Sequence, residues 1–366
     1  MSRSFLFAAA AAAFAGCSAP VQTVDGPGAV GAPMPPTAVR ASYGMVIHGG
    51  AGTITRGSMT PEMETQYRAV LEQALQTGHR ILTAGGTSLD AVEATVRVME
   101  DSPLFNAGRG AVFTSEGRNE LDAAIMDGRT QNVGAIAGVT SVRNPITLAR
   151  RVMENSPHVM MIREGAEVFG RMHGIEMVEA SYFFTEQRWE ALRRALAAEG
   201  RPMPARPAGA SDGAGSETAQ ILIDDRDRKY GTVGAVALDQ HGNLAAATST
   251  GGMTNKRFGR VGDVPVIGAG TFAGPTCAVS ATGHGEFFIR NVVAYDICAR
   301  TMYGGSGLAQ AAHDVVMVRL RDQDASGGII AMNVQGNYTM TFNSEGMYRG
   351  SIGADGRMIL GIYDED

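Results

Sequence analysis

Across a single glycine, this chain passes from a polar, irregular segment into an apolar strand. Residues 199–217 (EGRPMPARPAGASDGAGSE) hold three prolines, four glycines and no apolar repeat, and residues 224–230 (DDRDRKY) are polar. Directly after Gly231, residues 232–237 (TVGAVA) read as a buried strand. Any fold that accepts this must lead a long irregular segment to the mouth of a core strand. An irregular loop of that length inside a compact domain is either functional or flexible. On its own the junction has an ordinary explanation, because threonine favours strands and glycine favours the turn before one.

The rest of the chain divides into blocks. A short apolar strand over 45–48 is followed at once by Gly49-Gly50-Ala51-Gly52, and Pro61 opens a helix to about Thr83, with Tyr67, Val70, Leu71, Ala74 and Leu75 on one face. Thr87-Ser88 caps a second helix over 89–101, where a hydroxyl satisfies the free N–H groups of the first turn. Strand segments follow at 111–114, 120–127 and 132–139, then helices near 146–154, 164–173 and 184–198. Beyond the junction come strands at 232–237, 243–250, 266–272 and 278–281, helices over 286–302 and 308–321, and closing strands at 329–334, 338–342 and 358–363. Strands and helices in blocks favour an α+β layering over regular βαβ winding.

Length allows one large domain or two ordinary ones across 366 residues, and 44% hydrophobic content is normal for a core. The formal net charge is −6 and no dense Lys/Arg run occurs, which excludes a basic nucleic-acid footprint. The three cysteines form no CxxC pair and have no zinc-spaced partner. Cys277 and Cys298 read as two small buried thiols, with pairing in an oxidising compartment as the alternative. At the N-terminus, Arg3 precedes an apolar run over 4–15, too short to span a bilayer but of signal-peptide length. Its end, Phe14-Ala15-Gly16-Cys17, resembles the bacterial lipoprotein cleavage box, with lipid on Cys17; plain cleavage after Ala15 is the alternative. Either way the chain is expected to be exported, with residues 1–16 removed and 17–43 a Pro/Ala/Gly-rich tether. The lipoprotein reading places it in the periplasm, anchored to the outer membrane.

No GxSxG, HExxH, Walker A or dinucleotide-binding glycine motif is present. The seven histidines are scattered, and His79, His158, His173, His241 and His313 read as surface or structural residues. Three patches end apolar strands with hydroxyls, charges or glycines: Thr248-Ser249-Thr250-Gly251-Gly252-Met253-Thr254-Asn255, Gly259-Arg260-Val261-Gly262-Asp263, and Thr282-Gly283-His284-Gly285-Glu286.

These patches, in order after Gly231-Thr232, resemble the plant-type asparaginase/isoaspartyl peptidase family of N-terminal-nucleophile hydrolases. The first half agrees, through His48-Gly49-Gly50-Ala51-Gly52 and Pro103-Leu104-Phe105-Asn106-Ala107-Gly108-Arg109-Gly110, and the likeness runs over about 44–366. The resemblance implies a four-layer αββα sandwich, self-cleavage before Thr232 into subunits 44–231 and 232–366, and a homodimer of such pairs. It implies Thr232 as nucleophile, with the freed α-amino group as its base, so that no cofactor is needed for catalysis. Thr250 would orient the hydroxyl, and Thr282 with the Gly283 N–H would form the oxyanion hole. Arg260 would grip a substrate α-carboxylate and Asp263 the α-amino group, within a pocket that includes Val261, Gly262, His284 and Gly285. The loop carrying Met99, Glu100, Ser102, Phe105, Ala107 and Arg109 resembles a sodium site built from backbone carbonyls; an ordinary loop is the alternative there. His284 departs from the small hydroxyl residue expected at its position. Two rival functions remain: a glycosylasparaginase-like amidase, for which an acidic residue is expected in place of Gly231, and an inactive lipid-anchored amino-acid-binding protein.

Overall fold

The computed structural model describes residues 43–210 and 231–366. The apolar run over 4–15, Cys17, the tether and the polar run over 224–230 lie outside the described residues. Among the described residues no helix is long and apolar enough to cross a membrane.

Among the described residues twelve strands form two sheets. In chain order they are β1 (Gly44–Gly52), β2 (Leu121–Asp127), β3 (Val133–Val139), β4 (Met160–Ile162), β5 (Val233–Leu238), β6 (Leu244–Thr250), β7 (Thr271–Ala273), β8 (Cys277–Gly283), β9 (Gly327–Asn333), β10 (Tyr338–Phe342), β11 (Gly346–Gly353) and β12 (Met358–Tyr363). The larger sheet runs β12-β11-β1-β5-β6-β2-β3-β4 and the smaller β10-β9-β8-β7. Helices α1 (Pro61–Thr83), α2 (Ser88–Glu100) and α3 (Pro145–Asn155) pack on the larger sheet, while α7 (Val293–Met302) and α8 (Leu308–His313) pack on the smaller. The sheets face each other through β1, β5 and β6 against β8 and β9, so the layering is αββα.

Strand alternation decides what each layer receives. Met45, Ile47, Val233, Ala235, Ala237, Ala245 and Ala247 join the core under α1, α2 and α3. Their neighbours Val46, Val236, Leu238, Leu244 and Ala246 join the core between the sheets. By the same parity His48, Thr232, Thr248 and Thr250 point into the inter-sheet space, at its polar end.

Helix α1 has the expected bounds, with the Thr60 hydroxyl accepting from the Met63 N–H and proline at the first turn. Thr87 caps α2 through the Asp90 N–H. Other expectations need correction. The helix expected over 286–302 is two, α6 (Gly285–Asn291) and α7, because Val292 turns left-handed at φ +49°. Residues 111–114 form no strand, only an isolated bridge from Thr114 to Lys256. Strand β11 was not anticipated, because Gly346, Gly350, Gly353 and Arg349 dilute the apolar signal. At Gly346 the space demands glycine: a Cβ there would lie 2.5 Å from the Ile54 carbonyl oxygen and 2.8 Å from that of Ile362.

The segment expected to be structureless from 199 is ordered over its first part. Met203 packs on the small cluster of Phe113, Trp189, Leu192 and Leu196, and Arg206 pairs with Glu186 at 2.8 Å. Cys277 and Cys298 are bonded in a disulfide rather than free. Cys277 lies on the helix-facing side of β8, beside the Cys298 carried by α7, with their Cα atoms 5.5 Å apart.

Candidate active site

Strands β5 and β6 pair in register, Val233 with Ser249 and Gly234 with Thr248, which brings the preceding Thr232 alongside Thr250. Thr232 Oγ1 lies 2.6 Å from the Gly231 carbonyl oxygen and 3.2 Å from Thr250 Oγ1. Thr250 Oγ1 donates to the same Gly231 carbonyl at 2.9 Å and accepts from the Gly252 N–H at 2.9 Å. The Gly231-Thr232 peptide is therefore held with its carbonyl hydrogen-bonded and a hydroxyl beside it. Gly231 adopts φ +156°, which side-chain-bearing residues rarely take, and a Cβ there would stand 3.0 Å from Asn106 Cβ.

Two residues at this peptide had been quoted only as part of family motifs, without a role. Asn106 Nδ2 donates to Gly231 O at 3.0 Å and to Gly252 O at 2.7 Å, while its Oδ1 accepts from the Val112 N–H at 3.0 Å. Its backbone oxygen accepts from the Gly251 N–H at 3.1 Å. His48 is fully buried, and desolvation pushes its imidazole down to about 3, so it is neutral near pH 7. Nδ1–H then donates to the Thr232 carbonyl at 3.1 Å, and Nε2 accepts from Ser280 Oγ at 2.9 Å. Ser280 continues to Thr248 Oγ1 at 2.7 Å, and Thr271 reaches Thr248 at 2.7 Å and the Val264 carbonyl at 3.1 Å. Through His48, a chain of buried hydroxyls thus links the Thr232 carbonyl to the turn that carries Asp263.

Arg260 and Asp263 share that turn but do not pair with one another. The Arg260 fork is taken by Glu286, Nε to Oε1 and Nη2 to Oε2, both at 2.9 Å. Glycines keep the space beside the remaining nitrogen clear: a Cβ on Gly252 would lie 3.4 Å from Arg260 Nη1, and one on Gly262 would lie 2.9 Å from it. Asp263 is buried, desolvation pushes its carboxyl up to about 7, and its Oδ2 has no hydrogen-bond partner among the described residues. A Cβ on Gly285 would press on both groups, 2.8 Å from Arg260 Nη2 and from Asp263 Oδ1. Val261 is exposed at the rim. His284 leans towards Glu286, Nε2 to Oε2 at 3.5 Å, and its ring meets Phe287 edge-on at 4.7 Å.

Thr282 is fully buried on β8, and its Oγ1 accepts from the Ala51 N–H at 3.3 Å. Gly50, one residue earlier, packs against Gly231: a Cβ on it would lie 3.1 Å from Gly231 Cα and 3.3 Å from the Thr232 nitrogen. Gly283 pairs with Gly327 so closely that a Cβ would lie 2.6 Å from its Cα. Strand β1 therefore connects Thr282 to the Gly231-Thr232 peptide.

The loop after α2 folds its carbonyls around two glycines. A Cβ on Gly108 would lie 2.4 Å from Glu100 O, and one on Gly110 would lie 2.1 Å from Phe105 O. Met99 O accepts from the Ser102 and Asp101 N–H groups, and Ala107 O from the Gly110 N–H. The Glu100 side chain is buried, pushed up to about 8 by desolvation, and accepts from Ser249 Oγ at 2.6 Å, which ties this loop to β6. Among the described residues no three His, Cys, Asp or Glu side chains gather to hold a metal ion.

A four-layer αββα sandwich that presents a strand-leading threonine hydroxyl to the carbonyl before it defines an N-terminal-nucleophile hydrolase. The family described as asparaginase matches residues 41–362, and the chain belongs to it. It is 50% identical over 324 residues to the isoaspartyl peptidase of Escherichia coli (strain K12), covering 88% of this chain and 96% of that protein. It is 37% identical over 321 residues to the isoaspartyl peptidase/L-asparaginase of Xenopus laevis, covering 87% and 94%. With the plant-type L-asparaginase of Pyrococcus furiosus it shares 38% identity over 306 residues, covering 83% and 94%.

Proposed function

We propose that this protein is a self-cleaving threonine hydrolase that releases L-aspartate from isoaspartyl dipeptides and L-asparagine. The observation that carries the proposal is the Gly231 carbonyl, which takes hydrogen bonds from Thr250 and Asn106 while Thr232 Oγ1 lies 2.6 Å away.

In the precursor, Thr232 Oγ1 attacks the Gly231 carbonyl carbon. The C–O bond forms, the C–N bond breaks, and the hydroxyl proton passes to the departing amine. Water then hydrolyses the ester and leaves two chains, one ending at Gly231 and one beginning at Thr232. Thr250 and Asn106 stabilise the charge that grows on the Gly231 oxygen. The new α-amino group, with a reference pKa of about 7.7–8.0, titrates near working pH and serves as general base for the hydroxyl of its own residue.

In the mature site Arg260, through Nη1, takes the substrate α-carboxylate beside the Glu286 pair. Asp263 takes the α-ammonium, which supplies the partner its buried Oδ2 lacks. Thr232 then attacks the side-chain amide carbon, Thr282 Oγ1 and the Gly283 N–H receive the oxyanion, and the amine leaves with a proton. Water hydrolyses the acyl-enzyme to L-aspartate. Val261, Gly262, His284 and Gly285 line the pocket. The crowded carbonyls of Glu100 and Phe105, with Met99, Ser102, Ala107 and Arg109, fit a sodium ion, which would stiffen the loop that carries Asn106.

Two further parts of the reading concern the assembly and its place. The cleaved pairs form a homodimer. The chain is exported and lipid-anchored through Cys17 in the periplasm; the Cys277–Cys298 disulfide supports an oxidising compartment. Mass analysis of the mature N-terminal peptide from membranes tests the anchor, since an unmodified or soluble Cys17 peptide refutes it.

The whole reading is tested with purified protein on a denaturing gel, with intact masses and assays on β-aspartyl dipeptides and L-asparagine. Two fragments, the smaller beginning at Thr232, with aspartate release from both substrates, are expected. A chain that stays whole for days without activity refutes it.

A further inference from the structure

Beside the scissile peptide lies a cavity of about 90 Å³, several water molecules' worth on a scale where one needs about 10–15 Å³. Gly50, Ala51, Asn106 and Gly231 form the wall nearest the nucleophile. Tyr67, Phe105 and Tyr348 supply aromatic walls, packed edge-to-face and stacked on one another. Among the described residues one charged side chain lines it, Arg188 of α5 (Glu186–Ala198).

Arg188 has no place in the chemistry described so far. Its Nε donates to Gly110 O at 2.9 Å and its Nη2 to Leu104 O at 3.4 Å. It pairs with no carboxylate among the described residues, and Nη1 has no protein acceptor among them. A partly buried guanidinium without a counter-charge is costly, and burial pushes its ionisation below the ordinary arginine value. An arginine that lines an aromatic cavity and keeps a nitrogen in hand is the group that binds a carboxylate.

The cavity adjoins the reaction centre. Gly50 packs on the scissile peptide, and the Ala51 N–H is bonded to Thr282 Oγ1, the proposed oxyanion donor. Once Gly231 has left the nucleophile, the amide beyond the substrate's scissile carbonyl faces this wall. The two substrates differ there. L-asparagine loses ammonia, which carries no carboxylate and no side chain. A β-aspartyl dipeptide loses an amino acid, which places an α-carboxylate two bonds beyond the amide nitrogen, with an apolar side chain next to it.

We infer that this cavity is the leaving-group subsite of the enzyme: Arg188 binds the α-carboxylate of the departing amino acid, and the aromatic walls receive its side chain. The inference rests on the hydrolase reading above and adds to it the basis on which isoaspartyl dipeptides are selected over L-asparagine.

The test compares three substrates on the mature enzyme: β-aspartyl-leucine, its C-terminal amide, and L-asparagine. Losing one charge-assisted hydrogen bond predicts a KM roughly 10- to 100-fold higher for the amide than for the acid. Arg188→Gln should raise KM for the acid by a similar factor and erase the acid–amide difference, and Arg188→Lys should restore part of it. The loss on the dipeptide must exceed any loss on L-asparagine by that same factor. If Arg188 only clamps the 104–110 loop, Arg188→Gln lowers both substrates alike, and the inference falls. It also falls if the unaltered enzyme treats acid and amide alike, a comparison that needs no variant to fold. Hydrolysis of neither dipeptide nor L-asparagine would overturn the underlying hydrolase reading instead.

Discussion

Asn106→Ala should separate maturation from folding. Its amide is one of two side-chain donors, besides the nucleophile, on the Gly231 oxygen, at 3.0 Å beside the Thr250 hydroxyl at 2.9 Å. Removing one preorganised donor from a developing oxyanion slows such steps by about 10²–10³-fold, or about 2.7–4 kcal/mol. The substitution has a second cost, because it leaves Gly252 O and the Val112 N–H without their partner. Each orphan costs roughly 1–3 kcal/mol if water cannot reach it, so a lower Tm is expected as well. Cleavage would be followed on denaturing gels from freshly purified precursor, with Tm measured on the same material. Asn106→Asp adds a diagnostic arm. It keeps the acceptor for Val112 but loses the donors while ionised, so its cleavage should quicken as pH falls and the new carboxyl takes up a proton. If Asn106→Ala matures within about threefold of the unaltered rate while its Tm drops, Asn106 is structural and the assignment of the precursor oxyanion site is wrong.

Thr250→Val should slow maturation by about 10²-fold or more, since it strips the second donor from Gly231 O and the partner from the Gly252 N–H; Thr250→Ser should restore most of the rate, and equal rates for valine and serine would refute the hydroxyl's role. Thr232→Ala should remain one chain and release no aspartate; cleavage of that variant would move the nucleophile elsewhere. Asp263 is pushed up to about 7 by burial, so it is protonated below that pH and cannot pair with an ammonium. The inhibition constant of L-aspartate should therefore improve as pH rises towards about 7 and then level off, and a flat profile between about pH 5 and 7 would refute it. The sign for stability is opposite: a carboxyl whose folded pKa exceeds its unfolded value near 3.9 binds more protons when folded, so its contribution is lost as pH rises through this window. Reducing the Cys277–Cys298 disulfide, which joins residues 21 apart, should destabilise the fold by about 3 kcal/mol on the loop-entropy account, read as a lower urea midpoint; an unchanged midpoint would show that the bond is not formed in solution.

What was legible before the fold was known shares one property: it lies in contiguous segments. The caps at Thr60 and Thr87, the bounds of α1, and the strands that carry Thr232 and Thr250 follow from local propensity and alternation. Thr250 could be aligned with Thr232 because a short hairpin, β5 to β6, joins them. The irregular segment ahead of Gly231 was visible for the same reason, although its start proves to pack on Trp189 rather than to stay loose. The groups left without a role are those that reach the site across the sandwich. Asn106 is 125 residues from Gly231, and His48 is 184 residues from Thr232. Glu286 arrives from α6 and Arg188 from α5, and neither contact has a local signature. Even the Arg260–Asp263 spacing misleads when read alone, since it suggests a turn ion pair whereas the guanidinium turns to Glu286.

That division explains why glycine recurs where the layers meet at the nucleophile. Gly50, Gly231 and Gly252 come from three separate segments and close on one peptide. A Cβ on Gly50 would strike Gly231, one on Gly231 would crowd Asn106, and one on Gly252 would crowd Lys256 and Arg260. At these contacts, 3.0–3.4 Å from the added atom, β1, the loop of Asn106 and the Arg260 turn would each have to give by a few tenths of an ångström. The donors on the Gly231 carbonyl, at 2.9 and 3.0 Å, would then be stretched and misaligned, which weakens them. Close backbone approach is what lets neutral groups, two hydroxyls and one amide, converge on the Gly231 carbonyl. It follows that alanine at Gly50 should impair maturation more than it lowers Tm, because the displacement it forces is small for the core but large for a 3 Å hydrogen bond.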